Sequence, residues 1–256
     1  MEIVPLNAHF ESSFWRHVNQ DILHYLFFAF DWKYRKSETA ILLASEEGRI
    51  RGMMLIYDNR IVQLRGSPEA AKAFVEKLDL DRVELQAQKT HKKYILDKYR
   101  PIVTHELVLM RLQRGEEKPQ IKHKVTQLNV SDADQIAEIM NRANPEFWGE
   151  ITKEGIAERL SEVNCFGIRV NEEVASICRM RTTDWASHIS TVATRETHRN
   201  RGYATSLVSH AVKQLLREKD TIAIYVLAEN DPAVHVYSKV GFKPYRSYFF
   251  MIGDKR

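Results

Sequence analysis

The sequence predicts a mixed α/β protein made of two similar halves in tandem, and three observations carry that expectation. Segments with apolar residues at helical spacing alternate along the whole chain with short apolar, β-branched runs. Their order (helix, helix, three strands, helix, strand, helix, strand) occurs once before residue 113 and again after residue 123. Between the two lies QRGEEKPQIK, with Gly, Pro and charge but a single aliphatic residue. The 256 residues therefore read as domains at 1–112 and 124–256 joined by a linker at 113–123.

In the first half, Phe10, Phe14 and Val18, then Ile22, Tyr25, Leu26 and Phe28, recur at helical spacing, and Asp21 is placed to cap the second of two helices. Ala40–Ser45, Ile50–Tyr57 and Ile61–Arg65 read as strands, separated by turns at Glu46-Glu47-Gly48 and Asp58-Asn59. Pro68 opens a helix to Leu78, because a first turn tolerates a residue without an N–H. Val83–Ala87 is a strand, Thr90–Tyr99 a helix and Val103–Leu112 a strand.

In the second half, Lys124–Leu128 is a strand. Ser131 with Asp134 resembles a capping box for a helix carrying Ile136, Ile139 and Met140 on one face. The loop 144–150 leads to a helix capped by Thr152. Strands follow at Cys165–Val170, Val174–Thr182 and His188–Thr194, the first two joined by Asn171-Glu172. A helix over Arg201–Arg217, a strand over Ile222–Leu227, a helix over Asp231–Val240 and a strand over Tyr245–Ile252 complete the chain. Tyr94, Tyr99 and Pro101 near the end of the first half match Tyr237, Phe242 and Pro244 of the second at equal spacing.

Composition excludes several classes. Hydrophobic residues at 44% and charged residues at 28%, with 10 Gly and 7 Pro, belong to a globular chain rather than a fibrous or disordered one. No run of apolar residues is long enough to span a membrane. The start, MEIVPLNAHFESSF, lacks the basic and apolar regions of a secretory signal, so a cytoplasmic location is expected. Cys165 and Cys178 lack metal-ligand spacing and read as reduced, buried thiols, so no metal is expected. The net charge of +4 is spread along the chain. Its densest cluster, Lys89, Lys92, Lys93, Lys98 and Arg100, has no base-stacking aromatics beside it and reads as solvated helix surface rather than a nucleic-acid contact.

The stretch from Val192 to Thr205 carries chemistry: a strand ends, a basic loop with a glycine follows, and a helix begins. The first N–H groups of a helix lack internal partners and stand at the positive end of its dipole. Gly202 lets the backbone approach an anion with no Cβ between them, small Ala204 keeps the next turn close, and Arg199 and Arg201 add positive charge. A plain structural turn with exposed arginines has the same outline.

These residues resemble the acyl-coenzyme-A motif of the GNAT superfamily of N-acetyltransferases: Gln or Arg, two residues, Gly, one residue, then Gly or Ala, met here by Arg199, Gly202 and Ala204. Val192 and Thr194 match the family's preceding strand. Asn230, Ala233, Tyr237 and Gly241-Phe242 match its downstream residues in order and spacing, and Glu196 stands where the family often has Pro. The resemblance spans residues 124–252. It implies two GNAT-like domains whose central sheet is mostly antiparallel, with a splayed parallel strand pair in the C-terminal one.

The resemblance further implies acetyl transfer from acetyl-CoA, without a metal, to a primary amine. The N–H groups of Arg199, Asn200, Arg201, Gly202, Tyr203, Ala204 and Thr205 would hold the pyrophosphate. Val192, Ala193, Thr194 and Asn230 would line the pantetheine arm, and Tyr237 would be the general acid beside the departing sulfur. A phenol of pKa about 10 gives its proton to a thiolate of pKa about 8.5 only uphill, by roughly 2 kcal/mol, so its main service is a hydrogen bond unless its pKa is lowered. On the acceptor side the resemblance points to Glu146, Phe147, Trp148 and Glu150, carboxylates and aromatics that suit a cationic amine. His188 titrates in the range of a base, and deprotonation through water is the alternative. In the N-terminal half the turn Leu64-Arg65-Gly66-Ser67-Pro68 is too short for a phosphate cradle, and Pro68 removes an N–H, so that half is expected to be a degenerate copy. The expected partner is a small-molecule or peptide amine, with no nucleic acid and no membrane. Monomer and homodimer stay open, as does a non-catalytic acyl-CoA-binding module.

Overall fold

The structure, a computed structural model, describes residues 1–143, 151–160 and 163–256. The elements in chain order begin β1 (Glu2–Pro5), α1 (Glu11–Val18), α2 (Leu26–Tyr34), β2 (Thr39–Glu46), β3 (Arg49–Tyr57), β4 (Ile61–Gly66), α3 (Pro68–Lys77), β5 (Arg82–Gln88), α4 (Lys92–Lys98) and β6 (Tyr99–Gln113). They continue β7 (Thr126–Gln127), α5 (Ala133–Ala143), α6 (Lys153–Arg159), β8 (Asn164–Val170), β9 (Glu173–Thr182), β10 (Ser187–Thr194), α7 (Tyr203–Leu215), β11 (Thr221–Leu227), α8 (Asp231–Val240) and β12 (Lys243–Lys255). Among the described residues no helix is long and apolar enough to cross a membrane.

The chain packs as two units. The first comprises Met1–Val108, Leu227–Glu229 and Arg246–Arg256; the second comprises Leu109–Val226 and Asn230–Tyr245. The division thus falls inside β6, and the last strand, expected with the second half, lies in the first unit from Arg246 onward. Residues 113–123, expected as a linker, belong to the second unit. There the N–H groups of Gln120 and Lys122 donate to the buried hydroxyls of Ser209 (2.9 Å) and Ser206 (3.0 Å) on α7, and the N–H of Lys118 donates to the carbonyl of Val240.

In the first unit the strand order is β1-β2-β3-β4-β5-β12-β6. Strand β1 was not anticipated; it pairs antiparallel with β2 from Glu2↔Ser45 to Pro5↔Leu42. Strands β4 and β5 run parallel, from Ile61↔Glu84 to Leu64↔Ala87. The core gathers Leu64, Phe74, Leu85, Tyr99, Phe249 and Met251. The turns at Asp58-Asn59 and Asn171-Glu172 both place two successive residues at positive φ, the geometry that matches the twist of a tight hairpin.

In the second unit the order is β6-β11-β10-β9-β8-β7, with β10–β11 the parallel pair and β7–β8, β8–β9 and β9–β10 antiparallel. Its two faces are covered by different helices. Ile136, Ile139 and Met140 of α5 and Ile156 of α6 pack on Cys165, Ile177 and Ala193. On the opposite face Phe166 meets His210 of α7, ring centroids 4.8 Å apart. The cap before α5 differs from expectation: Asn129, not Ser131, starts it. Its side chain accepts from Ser131 N–H, and Asp132 accepts from Asn129 N–H, closing a box that starts before the expected position.

Candidate active site

Strand β10 holds its antiparallel register with β9 from Ser187↔Thr182 to Thr194↔Ser176, with a bulge between Ile189 and Thr191. Its parallel register with β11 extends only from Ser187↔Ile222 to Ile189↔Ile224. Beyond that point Ser190–Thr194 and Tyr225–Leu227 continue as strands with no register between them. Backbone N–H and C=O groups along such an opened edge are obligatory hydrogen-bonding groups, ready for an extended ligand that lies down as a strand. The edge is held rigid from the other side. The Ser176 hydroxyl reaches the Ala193 carbonyl (3.0 Å) and the Thr194 hydroxyl (2.7 Å), and Arg195 beyond the strand end donates to Val174 O (2.8 Å) and Glu138 (2.7 Å). Val192 and Thr194 are half-buried, while Ala193 between them is buried under α5.

The chain then turns into α7. Asn200 has φ +62° and Gly202 φ +79°, and left-handed residues in a turn are how a main chain forms a concavity of N–H groups. Gly202 is the N-cap of α7, and no side chain caps the N–H groups of that first turn. A Cβ on Gly202 would meet nothing closer than His123 Nε2 at 3.7 Å, so its backbone angle rather than crowding requires glycine. Arg199, Asn200, Arg201 and Gly202 are exposed, and Tyr203, Ala204 and Thr205 are half-buried. The turn is buttressed by His123, which no motif in the sequence marks. His123 Nε2 donates to the Arg201 carbonyl (2.9 Å), and its ring meets the Tyr203 ring edge-on.

Tyr237 lies on α8, buried, with its ring 6.1 Å from Phe242. Burial, and next the neighbouring Cys178, push its hydroxyl well above the ordinary tyrosine range. A phenol held that high stays protonated and donates a hydrogen bond at any physiological pH, while full transfer of its proton is harder than from a free tyrosine. Asn230 caps α8, its side-chain oxygen accepting from Ala233 N–H (3.2 Å). At the other end Gly241 has φ +116°, and a Cβ there would stand 2.3 Å from the Glu116 carbonyl. His188 is on β10 opposite Arg181, and burial with that arginine lowers it to about 4. It is therefore neutral at pH 7 but a weak proton sink. Glu146, Phe147, Trp148 and Glu150 lie outside the described residues. A second residue that no motif marks is Arg179 on β9, a buried guanidinium on the α5 face.

The equivalent positions in the first unit are closed. The β4–β5 register runs to Leu64↔Ala87, and the next N–H, that of Gly66, donates to the Gln88 side chain (2.7 Å). Helix α3 is capped by Ser67, whose hydroxyl accepts from Ala70 N–H (3.2 Å), and Pro68 follows it. Neither an opened strand edge nor an uncapped helix start is present there.

Known proteins are similar to this chain in sequence and in fold. A family described as FR47-like protein matches residues 165–251. An N-alpha-acetyltransferase of Sulfurisphaera tokodaii is 26% identical over 145 residues, covering 52% of this chain and 87% of the relative. A Drosophila protein of known structure superposes with a TM-score of 0.73 at 11% identity, over 97% of this chain and 98% of that one. A tandem GNAT protein from the clavulanic acid biosynthesis pathway superposes with a TM-score of 0.59 at 12% identity, over 99% and 98% of the two chains.

Proposed function

Since the chain belongs to the GNAT superfamily of acetyltransferases, we propose that its second unit moves an acetyl group from acetyl-CoA directly onto a primary amine. The observation that carries this reading is the coincidence of two unsatisfied backbone surfaces: the β10 edge freed beyond Ile189 and the uncapped first turn of α7. One fits an extended amide-bearing arm, the other a pyrophosphate, and both end on the same loop.

In this reading acetyl-CoA supplies an activated acetyl thioester. Asn200, Arg201, Gly202, Tyr203, Ala204 and Thr205 hold its phosphates through backbone N–H groups; the Arg199 N–H, expected to join them, donates instead to the Glu196 carbonyl (3.3 Å), so Arg199 contributes with Arg201 through side-chain charge. Val192, Ala193 and Thr194 pair with the pantetheine amides, and an N–H of this edge polarises the thioester carbonyl. Asn230 uses its carbonyl to cap α8, which leaves its NH2 for the same arm. Tyr237 donates a hydrogen bond to the sulfur as it leaves, and its raised pKa makes it a hydrogen-bond donor more than a proton source. The amine passes its proton through water to bulk solvent, and His188, lowered to about 4, would not retain that proton at pH 7.

The test is acetyl transfer from labelled acetyl-CoA to a panel of small amines, amino acids and peptides, with Tyr237→Phe beside the wild type. Transfer that falls at least tenfold in kcat in the variant, with CoA affinity unchanged, is the expected result. Saturable CoA binding with no transfer to any amine contradicts it and returns a non-catalytic acyl-CoA-binding module.

A further inference from the structure

Strand β9 is buried along nearly its whole length, and one of its buried positions is a charge: Arg179, 7% exposed. Its partners in register are Cys165 on β8 and Thr191 on β10, and it shares the α5–α6 face with Ile177. Its Nη1 has the Met140 sulfur at 3.8 Å, and its Nε is buried with no hydrogen-bond partner among the described residues. Among the described residues, the other ionisable groups that bear on it do not neutralise it. The Cys165 thiol is pushed up to about 12 by burial and is uncharged, while Arg159 and Arg181 repel it. Arg65 in the first unit is a useful contrast. It too is fully buried without a carboxylate, yet every guanidinium nitrogen donates to an oxygen of Leu64, Gln86, Gln63 or His24, and the Tyr248 ring covers it. A satisfied buried arginine is structural; one whose side-chain acceptor is a weak thioether sulfur costs stability that no described neighbour returns.

We propose that Arg179 holds a carboxylate of the acyl acceptor, so that the acceptors of this enzyme are amino acids rather than simple amines. The inference rests on the acetyl-transfer reading above. Position explains the pairing. Thr191, across the register from Arg179, lies just past the bulge where β10 leaves β11. An anion on the guanidinium therefore sits one strand away from the opened edge that receives the thioester. The planar guanidinium offers the two-pronged donor set that a carboxylate matches. The surrounding positive charge also disfavours an ammonium ion, which helps the acceptor reach the neutral form that attacks.

Matched acceptors test this: glycine against glycinamide, and longer amino acids against the amines lacking the carboxylate, in the wild type, Arg179→Met and Arg179→Lys. The expected result is a kcat/KM at least tenfold higher for the carboxylate member. Arg179→Met should collapse that preference to within twofold and Arg179→Lys should restore part of it, with CoA affinity unchanged. Melting curves give a second readout. Arg179→Met should melt several degrees higher than the wild type without ligand, because a thioether replaces an unneutralised cation. N-acetylglycine with CoA should raise the melting temperature of the wild type but not of Arg179→Met. Equal transfer to both members of each pair overturns the proposal and leaves acetyl transfer standing. A lower melting temperature in Arg179→Met also overturns it, since it means that an acid of the fold already neutralises the cation. If CoA binds and no amine accepts, acetyl transfer itself fails, and the loss or persistence of N-acetylglycine protection in Arg179→Met still decides the role of Arg179.

Discussion

At the scale of single residues the proposed site depends on a left-handed glycine, a buried tyrosine and an unneutralised arginine. Gly202 holds φ +79°, which an L-residue adopts at a cost of about 1–2 kcal/mol. Gly202→Ala meets no steric obstacle, so the expected outcome is a protein that folds, loses about that much stability in urea, and binds CoA roughly tenfold more weakly by titration calorimetry. Unchanged affinity would mean that the loop does not carry the phosphates. Gly202 and Tyr237 were legible in the sequence because a glycine in a left-handed turn and a tyrosine at fixed spacing after it leave a mark in residue type. Arg179 was not. In ICRMR it reads as the polar member of an alternating strand, and only helices on both faces of β9 turn its position into a buried one. His123 was hidden for a different reason: it meets Arg201 across a sequence separation of 78, which no local pattern encodes.

Elements were legible where their ends are punctuated. Helix α8 was read to the residue because Asn230 and Pro232 mark its start and Gly241 its end. Strand β1 was missed because four residues ending in proline have no periodicity of their own and exist as a strand only through pairing with β2. The opening between β10 and β11 was implied by family resemblance and not by composition, since the residues that lose their partner are as β-prone as those that keep it. The polar segment 113–123, which its composition predicts to be a linker, shows how polarity misleads. Its backbone is satisfied by Ser206 and Ser209, which are fully buried on α7, so it behaves as part of the unit. Ser209→Ala removes the acceptor for Gln120 N–H and should cost about 1–3 kcal/mol by urea denaturation. A loss within experimental error would show that solvent replaces the hydroxyl and that the segment is loosely held.

The whole molecule joins one unit with an opened parallel pair to another in which the same pair is zipped and its helix capped. Its stability should fall in mild acid. His24 in the first unit is 7% exposed, hydrogen-bonded to the Tyr248 hydroxyl (2.8 Å), and driven down to about 2 by burial first and Arg65 next. It is neutral in the fold, so above its unfolded value of about 6.5 it has no effect on stability. Below that pH the unfolded chain takes up a proton that the folded chain refuses, and stability drops by up to about 1.4 kcal/mol per pH unit for this residue. His188, lowered to about 4, acts in the same direction. Urea denaturation at pH 7.5 and 5.5, above the range where carboxylates titrate, should show this loss, and equal stability at the two values would place His24 in water rather than in the core.

We propose that one opened strand pair and one uncapped helix start, both in the second unit, form the acyl-CoA site, while the first unit retains the element order without either feature. Titration calorimetry of the full chain with acetyl-CoA addresses that claim most directly. A single saturable site per chain is expected, weakened roughly tenfold by Gly202→Ala and untouched by Ser67→Ala. Two equivalents per chain, or one equivalent that is unweakened by Gly202→Ala and is lost in Ser67→Ala, would contradict it.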